Sequence, residues 1–287
     1  FNSSLMSAIE SDSVLRNFKM IAEPWDVTRY SLGDFPHPWR EWNDAYRDSV
    51  RQFWLGDLAR GYGEGVADIA SRISGSSDIF YYRGPTSSIN FIAAHDGFTL
   101  ADLVMYNQKD NSANLENNAD GNNDNRSWNL GVEGPTDDPQ ITTHRHQLKK
   151  SMLATLLLSS GVPMLNMGDE VGRSQNGSNN GYSLPRDMTP LMEDSEENFM
   201  GGWANKWKLN EEESDLFDAV SELAHIRKQY LEGVAHEFFT GTVDAGTKRK
   251  DIAWFSLGGH EMHEDHWQDG EKRSLTVFIE AGSASRP

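Results

Sequence analysis

The sequence contains no cysteine, and acidic residues outnumber basic ones. Without cysteine, disulfide bonds and thiolate metal sites are excluded, and nothing in the composition indicates an oxidising compartment. The 26 lysine and arginine residues against 44 aspartate and glutamate residues give a formal net charge of −18 at pH 7. Because phosphate recognition requires a clustered basic face, this charge argues against a nucleic-acid partner. The acidic residues are spread along the chain, as on a solvated, self-repelling surface.

The chain also lacks a long hydrophobic run. Its longest apolar stretch, residues 152–158, is interrupted by Thr155 and is far too short to span a bilayer, so we expect no membrane partner. The chain begins at Phe1 with a helical pattern already under way, so we interpret it as an internal fragment. The missing signal peptide therefore says nothing about localisation, and a cytoplasmic location is a separate expectation.

What is present is an alternation of short apolar strands and helices. Strands are predicted at residues 18–22, 40–43, 88–94 and 162–167. Helices are predicted after the second strand, where Tyr46 and Val50 recur at helical spacing, and over residues 144–160. Four such units in sequence indicate half of a (β/α)8 barrel. An open doubly wound sheet is the alternative, although that fold usually shows a glycine-rich phosphate-binding turn, and the sequence has none.

The character of the chain changes near its C-terminal end. A last helix is predicted to begin at Asn210, where Glu213 is placed to complete a capping box. Beyond Tyr230 the pattern becomes one of short β-strands, predicted at residues 237–240, 252–257 and 275–280. This change predicts two domains, residues 1–230 and residues 231–287.

Ionisable residues directly follow two of the predicted strands. Glu23 comes after strand 18–22, and the pair His95 and Asp96 comes after strand 88–94. Carboxylates at the carboxyl ends of successive parallel strands are how a barrel enzyme assembles its active site. Two such carboxylates facing a sugar can serve glycoside chemistry, in which a protonated acid works beside an ionised group. Nine tryptophans and eight tyrosines could stack on sugar rings, although most large aromatic residues belong to cores.

Two candidate metal sites fail on inspection of their residues. The amide-rich stretch over residues 107–138 matches a calcium loop at three ligand positions, but Asn125 stands where glycine is required, and Gly131 stands where the closing glutamate should be. We expect this stretch to be a long surface loop near the active face. Three histidines between residues 260 and 266 recur at a spacing of three, and we expect them to be exposed on a loop between β-strands. No metal and no cofactor are predicted.

An ordered set of sequence blocks resembles a known family. The blocks are residues 21–26 (IAEPWD), 33–36 (GDFP), 41–48 (EWNDAYRD), 94–100 (AHDGFTL), 129–136 (NLGVEGPT), 161–164 (GVPM) and 168–170 (GDE). Together they resemble the isoamylase and glycogen-debranching group of the α-amylase family of glycoside hydrolases, strongly to about residue 180 and weakly beyond. The resemblance implies an α/β fold: the C-terminal half of a (β/α)8 TIM barrel, followed by the start of an all-β sandwich domain.

The resemblance also implies a reaction and roles for four residues. Enzymes of this group hydrolyse α-1,6 branch linkages with retention, so the expected partner is a branched α-glucan such as glycogen, amylopectin or a limit dextrin. Glu23 falls on the acid/base position, and Asp96 falls on the carboxylate that stabilises the transition state. His95 matches a sugar-binding histidine, for which a satisfied core histidine is the plain alternative. For Trp25, stacking on a sugar ring and simple packing within the protein both remain open.

Two features depart from the family pattern. The nucleophilic aspartate is expected within an Arg-x-Asp pattern at the end of the preceding strand, but Asp12 is the only aspartate before Glu23 and it precedes its strand. We therefore expect the nucleophile to lie outside this chain, and the chain alone to be inactive. After the last barrel strand, residues 183–188 (SLPRDM) replace an acidic and tryptophan-rich continuation, which leaves the choice of substrate open.

Two alternatives to a hydrolase remain open. A non-catalytic glucan-binding or regulatory barrel would keep the fold without the reaction, although neither Glu23 nor Asp96 would be needed merely to bind. An α-glucanotransferase on the same scaffold would use the same carboxylates and would differ in whether new reducing ends accumulate.

Overall fold

The computed structural model describes residues 4–61, 63, 65–181 and 209–280. It contains a four-stranded parallel sheet whose strands lie side by side in sequence order. Ala22 lies opposite Glu41, Glu41 lies opposite Ser88, and Asn90 lies opposite Pro163, so the carboxyl ends of all four strands meet at one edge. The strands are β1 (Ile21–Ala22), β2 (Arg40–Asn43), β3 (Ser88–Asn90) and β4 (Val162–Pro163).

Helices make the connections after β2 and β3, as parallel pairing requires. The helix before β1 is α1 (Ser4–Ser11). Those between β2 and β3 are α2 (Asp44–Arg51), α3 (Asp57–Arg60), α4 (Ala67–Ile73) and α5 (Ser77–Phe80). A π-helical turn, Gln52–Gly56, joins α2 to α3. Between β3 and β4 lie α6 (Leu100–Leu103) and α7 (Pro139–Leu158). Short 3-10 turns occupy Leu15–Asn17, Pro85–Ser87, Ser112–Asn114 and Asp169–Val171.

A cluster of buried apolar side chains joins α2, α4, α6 and α7 to the segment that follows β3. Tyr46 and Val50 of α2 are fully buried in it, as are Met152 and Leu153 of α7. Their recurrence at helical spacing gives each helix one apolar face, and burying these faces against each other stabilises the layer of helices.

The C-terminal part of the described chain adds a helix and a second sheet. Helix α8 (Glu211–Ile226) begins at the predicted capping box, in which the Asn210 side chain accepts from Glu213 N–H and the Glu213 carboxylate accepts from Asn210 N–H. It continues as a π-helical turn, Arg227–Leu231. Strands β5 (Ile252–Phe255) and β6 (Thr276–Ile279) then pair antiparallel, with α9 (Glu264–Gln268) between them.

The predicted α/β class is confirmed, and most predicted elements are present. Strand β2 has the predicted bounds, whereas the other three strands of its sheet pair over only part of the predicted length. Helix α7 begins five residues before its predicted start, because Asp138 caps it and Pro139 suits the first helical position. The strand predicted at residues 237–240 is wrong. There the backbone N–H groups of Thr240 and Gly241 donate to the Asp251 carboxylate instead of to a neighbouring strand.

Candidate functional site

Glu23 directly follows β1 at the carboxyl edge of the sheet, and its side chain is exposed. The chain then makes a tight turn, in which the half-buried Trp25 forms a β-bridge with Tyr30. The Asp26 carboxylate stabilises this turn by accepting from the backbone N–H groups of Thr28 at 2.6 Å and Arg29 at 2.9 Å. The Thr28 hydroxyl donates to the same carboxylate at 2.6 Å, and this bond, together with the two backbone bonds, lowers the pKa of Asp26.

A buried ion pair between β2 and Arg83 anchors the segment that follows Trp25. Glu41 of β2 is fully buried, pairs with the Arg83 guanidinium and accepts from the backbone N–H groups of Gly33 at 2.6 Å and Phe35 at 3.3 Å. Because a buried carboxylate must be paired and hydrogen-bonded, these partners fix the segment after Trp25 against the sheet.

His95 and Asp96 lie beyond the carboxyl end of β3, and both are exposed. His95 Nε2 lies 3.5 Å from Asp96 Oδ2. Trp42 of β2 reaches across, with its ring centroid 5.7 Å from that of His95 and 5.7 Å from that of Phe91. The Trp42 ring of β2 therefore packs against the His95 ring.

The four predicted site residues share one edge of the sheet. Glu23 and Trp25 follow β1, His95 and Asp96 follow β3, and β2 lies between the two pairs. Of the four, His95 and Asp96 are in direct contact. The exposure of His95 means that it is not a satisfied core histidine.

Sequence reasoning overlooked two further carboxylates that follow strands. Asp44 comes directly after β2 and accepts from the Tyr30 hydroxyl at 2.8 Å, and burial raises its pKa. Asp169 follows β4 in a deeply buried position, where burial raises its pKa to about 7, while the Leu100 N–H at 3.1 Å and nearby Arg173 oppose the rise. All four strands are thus followed by a carboxylate. The rule that identified Glu23 and Asp96 could have found both.

The candidate metal sites show no ligand set. Within the described part of the chain, no group of three histidine, cysteine, aspartate or glutamate side chains could hold a metal ion. The prediction that these histidines are exposed on a loop is wrong for His266, which is half-buried in helix α9, where its ring stacks on that of His263 at 6.0 Å. His260 and His263 are exposed. Asp120 instead accepts from the side-chain amides of Asn114 and Asn180.

A cavity of about 290 Å³ lies beside β5, and its lining residues include Lys250, Trp254, Glu261 and Trp267. None of the four predicted site residues lines this cavity. Of these four, Glu23, His95 and Asp96 are exposed, and Trp25 is half-buried. Residues 183–188, the segment predicted to depart from the family, lie outside the described ranges.

No protein-family model matches the chain. In sequence it is 42% identical over 290 residues to the glycogen operon protein GlgX homolog of Mycobacterium tuberculosis, an alignment that covers 99% of this chain and 38% of the relative. It is 48% identical over 272 residues to the glycogen debranching enzyme of Pectobacterium atrosepticum, covering 93% of this chain and 37% of the relative. The chain belongs to the isoamylase and glycogen-debranching group of the α-amylase family. It spans less than half the length of these curated debranching-group relatives.

The solved structures agree in fold with this membership of the debranching group. Klebsiella pneumoniae pullulanase complexed with maltotriose superposes with a TM-score of 0.52 at 14% identity, covering 93% of this chain and 28% of that one. At this level of identity the likeness shows a shared fold alone. No helix among residues 4–181 and 209–280, so far as they are described, is long and apolar enough to cross a membrane.

Proposed function

We propose that this chain is part of a retaining glycoside hydrolase that cleaves α-1,6 branch linkages of glycogen or a related α-glucan. The observation that supports this most is the alignment of Glu23 and Asp96 on one carboxyl edge of a parallel sheet, in a chain whose relatives are named glycogen debranching enzymes. A branched glucan is the proposed substrate, and the pullulanase of similar fold was solved with maltotriose.

Each of the four residues has a chemical task in this proposal. Glu23 protonates the glycosidic oxygen and then deprotonates the attacking water, and Asp96 stabilises the oxocarbenium-like transition state. His95 donates a hydrogen bond to a sugar hydroxyl next to Asp96. Trp25 offers a flat face beside Glu23 for stacking on a sugar ring. All four are wholly or partly exposed, as direct contact with a polymeric substrate requires.

The proposal also assigns the parts of the chain. Residues 1–230 form the C-terminal half of a (β/α)8 barrel, and residues 231–287 begin a β-sandwich domain. The nucleophilic aspartate comes from outside these 287 residues, so the chain by itself is inactive. An exposed apolar flank at β1, including Phe18 and Ile21, supports the half-barrel assignment, because a further barrel strand at that edge would cover it.

The test is turnover of a branched α-glucan by the complete protein that carries this chain, compared with its Glu23→Gln and Asp96→Asn variants. We expect linear chains and new reducing ends from the complete protein, and a loss of about 10²–10⁴-fold in kcat for Glu23→Gln, the range for removing a general acid. Asp96→Asn should also lower kcat, because a charge that stabilises the transition state is lost. An exposed carboxylate on helix α8, outside the loops that follow the strands, provides the matched control, Asp218→Asn, which should keep full turnover.

Three outcomes would contradict the proposal. Glucan binding without release of linear chains would make the protein a glucan-binding barrel. Transfer of chains without an accumulation of reducing ends would make it a glucanotransferase. Undiminished turnover in Glu23→Gln would remove the assigned acid/base.

A further inference from the structure

A buried asparagine of the loop after β4 is tied to the turn that carries Asp96. The backbone carbonyl of Asn179 accepts from Gly97 N–H at 2.8 Å, and Asn180 forms a β-bridge with Asp96. Gly97 has a φ of +94°, a left-handed conformation that glycine adopts without strain, so the turn bends sharply directly after Asp96. The turn that carries His95 and Asp96 is therefore hydrogen-bonded to the loop after β4.

The side chain of Asn179 makes three hydrogen bonds, with both donors of its amide and its oxygen engaged. It is 1% exposed, and its Nδ2 donates to the Asn122 carbonyl at 2.6 Å and to Asn125 Oδ1 at 2.9 Å. Its Oδ1 accepts from Asn111 Nδ2 at 2.8 Å, and Asn111 Oδ1 accepts from Asn179 N–H at 3.0 Å. A buried network of hydrogen-bonded amides favours one arrangement of the segments that it joins.

The network reaches the other side of the Asp96 turn through a buried arginine. Arg51 of α2 donates from Nε to the Ile92 carbonyl at 2.8 Å and from Nη1 to the Asn125 carbonyl at 3.3 Å. A closed path therefore runs from Ile92 through Arg51, Asn125 and Asn179 to Gly97. It clamps the chain before and after His95 and Asp96.

The loops are packed closely at this point. A Cβ atom at Gly121, whose φ is +73°, would lie 2.2 Å from Asn179 Oδ1 and 2.8 Å from Asn111 Nδ2. Such a distance is far inside van der Waals contact, so the position requires glycine. The amide-rich loop over residues 107–138 thus has a structural purpose that the failed calcium-loop reading did not supply.

We propose that Asn179 is a positioning residue for Asp96, acting through the Gly97 N–H bond and the amide network behind it. The inference rests on the proposed role of Asp96 in glycoside cleavage. The Asp96 side chain is 75% exposed, so side-chain packing holds it little, and its placement follows from the backbone of its turn. A carboxylate that acts in the transition state must be held within a fraction of an ångström, and a misplacement of about 1 Å can cost about 10²-fold in rate.

The test measures kcat and KM of the complete protein with Asn179→Ala, alone and combined with Asp96→Asn. We expect Asn179→Ala to lower kcat by up to about 10²-fold with a much smaller change in KM, because a transition-state interaction is lost. In the Asp96→Asn background the same change should have little further effect, since its target has already been removed. Asn123→Ala is the matched control, because Asn123 is exposed in the same loop, and no side-chain hydrogen bond is found for it among the described residues.

Two results would overturn the inference without touching the proposed function. The first is an unchanged kcat in Asn179→Ala. The second is an equal loss in both backgrounds, which a merely structural role predicts. If Asn179→Ala does not fold, Asn125→Ala deletes only one acceptor of the Asn179 amide and must show the same dependence on Asp96. Undiminished turnover in Asp96→Asn itself would instead refute the proposed role of Asp96.

Discussion

At the scale of single residues, the carboxylates that follow the four strands occupy different environments. Glu23 and Asp96 are exposed, Asp44 is hydrogen-bonded to Tyr30, and Asp169 is deeply buried. A general acid must hold a proton at working pH, which calls for burial or a neighbouring carboxylate. Glu23 is exposed and follows β1, which is an edge strand of the described sheet. On our proposal, the rest of the barrel supplies the burial or the neighbouring carboxylate that Glu23 lacks here.

Burial of Asp169 predicts a dependence of stability on pH. Its pKa is raised from an ordinary value of 3.8 to about 7, so between these values the folded protein holds a proton that the unfolded chain has released. The free energy of unfolding contributed by Asp169 is therefore full below about pH 4, falls as the pH rises, and is lost above about pH 7.

Asp169→Asn should remove this dependence, because an amide does not titrate and can still accept from Leu100 N–H. Urea unfolding of the complete protein between pH 4 and pH 8 measures the effect. As the pH rises, the free energy of unfolding of the variant should increase relative to that of the wild type. Asp124→Asn, at a position whose side chain is 76% exposed, is the control. A difference between wild type and Asp169→Asn that stays constant across this range would show that Asp169 is not protonated in the fold.

The residues that the sequence could reveal are those whose signal is local. Glu23, His95 and Asp96 stand directly after apolar runs, and that pattern predicted the edge on which they lie. The role of Asn179 was out of reach, because its amide partner Asn111 is 68 residues away and their pairing exists only in the tertiary structure. The burial of Asp169 was missed for the same reason.

At the scale of elements, helices with local start signals were predicted well. The capping box at Asn210 and the apolar stripe of α7 depend only on residues within a few positions of one another. Strand lengths were overestimated, because pairing depends on neighbours distant in sequence, and the run after Asn90 is buried without continuing the ladder. At residues 237–240 a side chain, that of Asp251, replaced the expected strand partner.

Helices α2 and α7 are joined by a buried hydroxyl whose removal should be measurable. The Tyr46 hydroxyl lies 3.0 Å from the Thr155 carbonyl and 2.9 Å from Ser159 Oγ. Tyr46→Phe should lower the free energy of unfolding by about 1 kcal/mol, since the ring stays packed and only hydrogen bonds are lost.

The measurement is the urea midpoint of the complete protein, compared with that of Tyr82→Phe, which removes the hydroxyl of an exposed tyrosine. The control should not move. Equal midpoints for the two variants would mean that the bond between α2 and α7 contributes nothing net.

At the scale of the whole molecule, the chain matches only part of the length of its relatives. It spans 37% to 38% of their length, and both outer strands of its parallel sheet, β1 and β4, have a neighbour on one side only in the described structure. On our proposal, a polymeric glucan binds at the carboxyl edge where Glu23, His95 and Asp96 are exposed, and the rest of the barrel adds the nucleophile.

The measurement that tests the central claim most directly compares two substrates of the complete protein with Glu23→Gln. Release of the leaving group from a branched glucan requires a proton from the acid, whereas fluoride leaves α-maltosyl fluoride without one. Added azide can then attack the glycosyl-enzyme intermediate in place of water, and azide needs no general base. We predict that Glu23→Gln loses about 10²–10⁴-fold on the branched glucan yet keeps fluoride release in the presence of azide. An equal loss on both substrates would contradict the account, because Glu23 would then not be the acid/base.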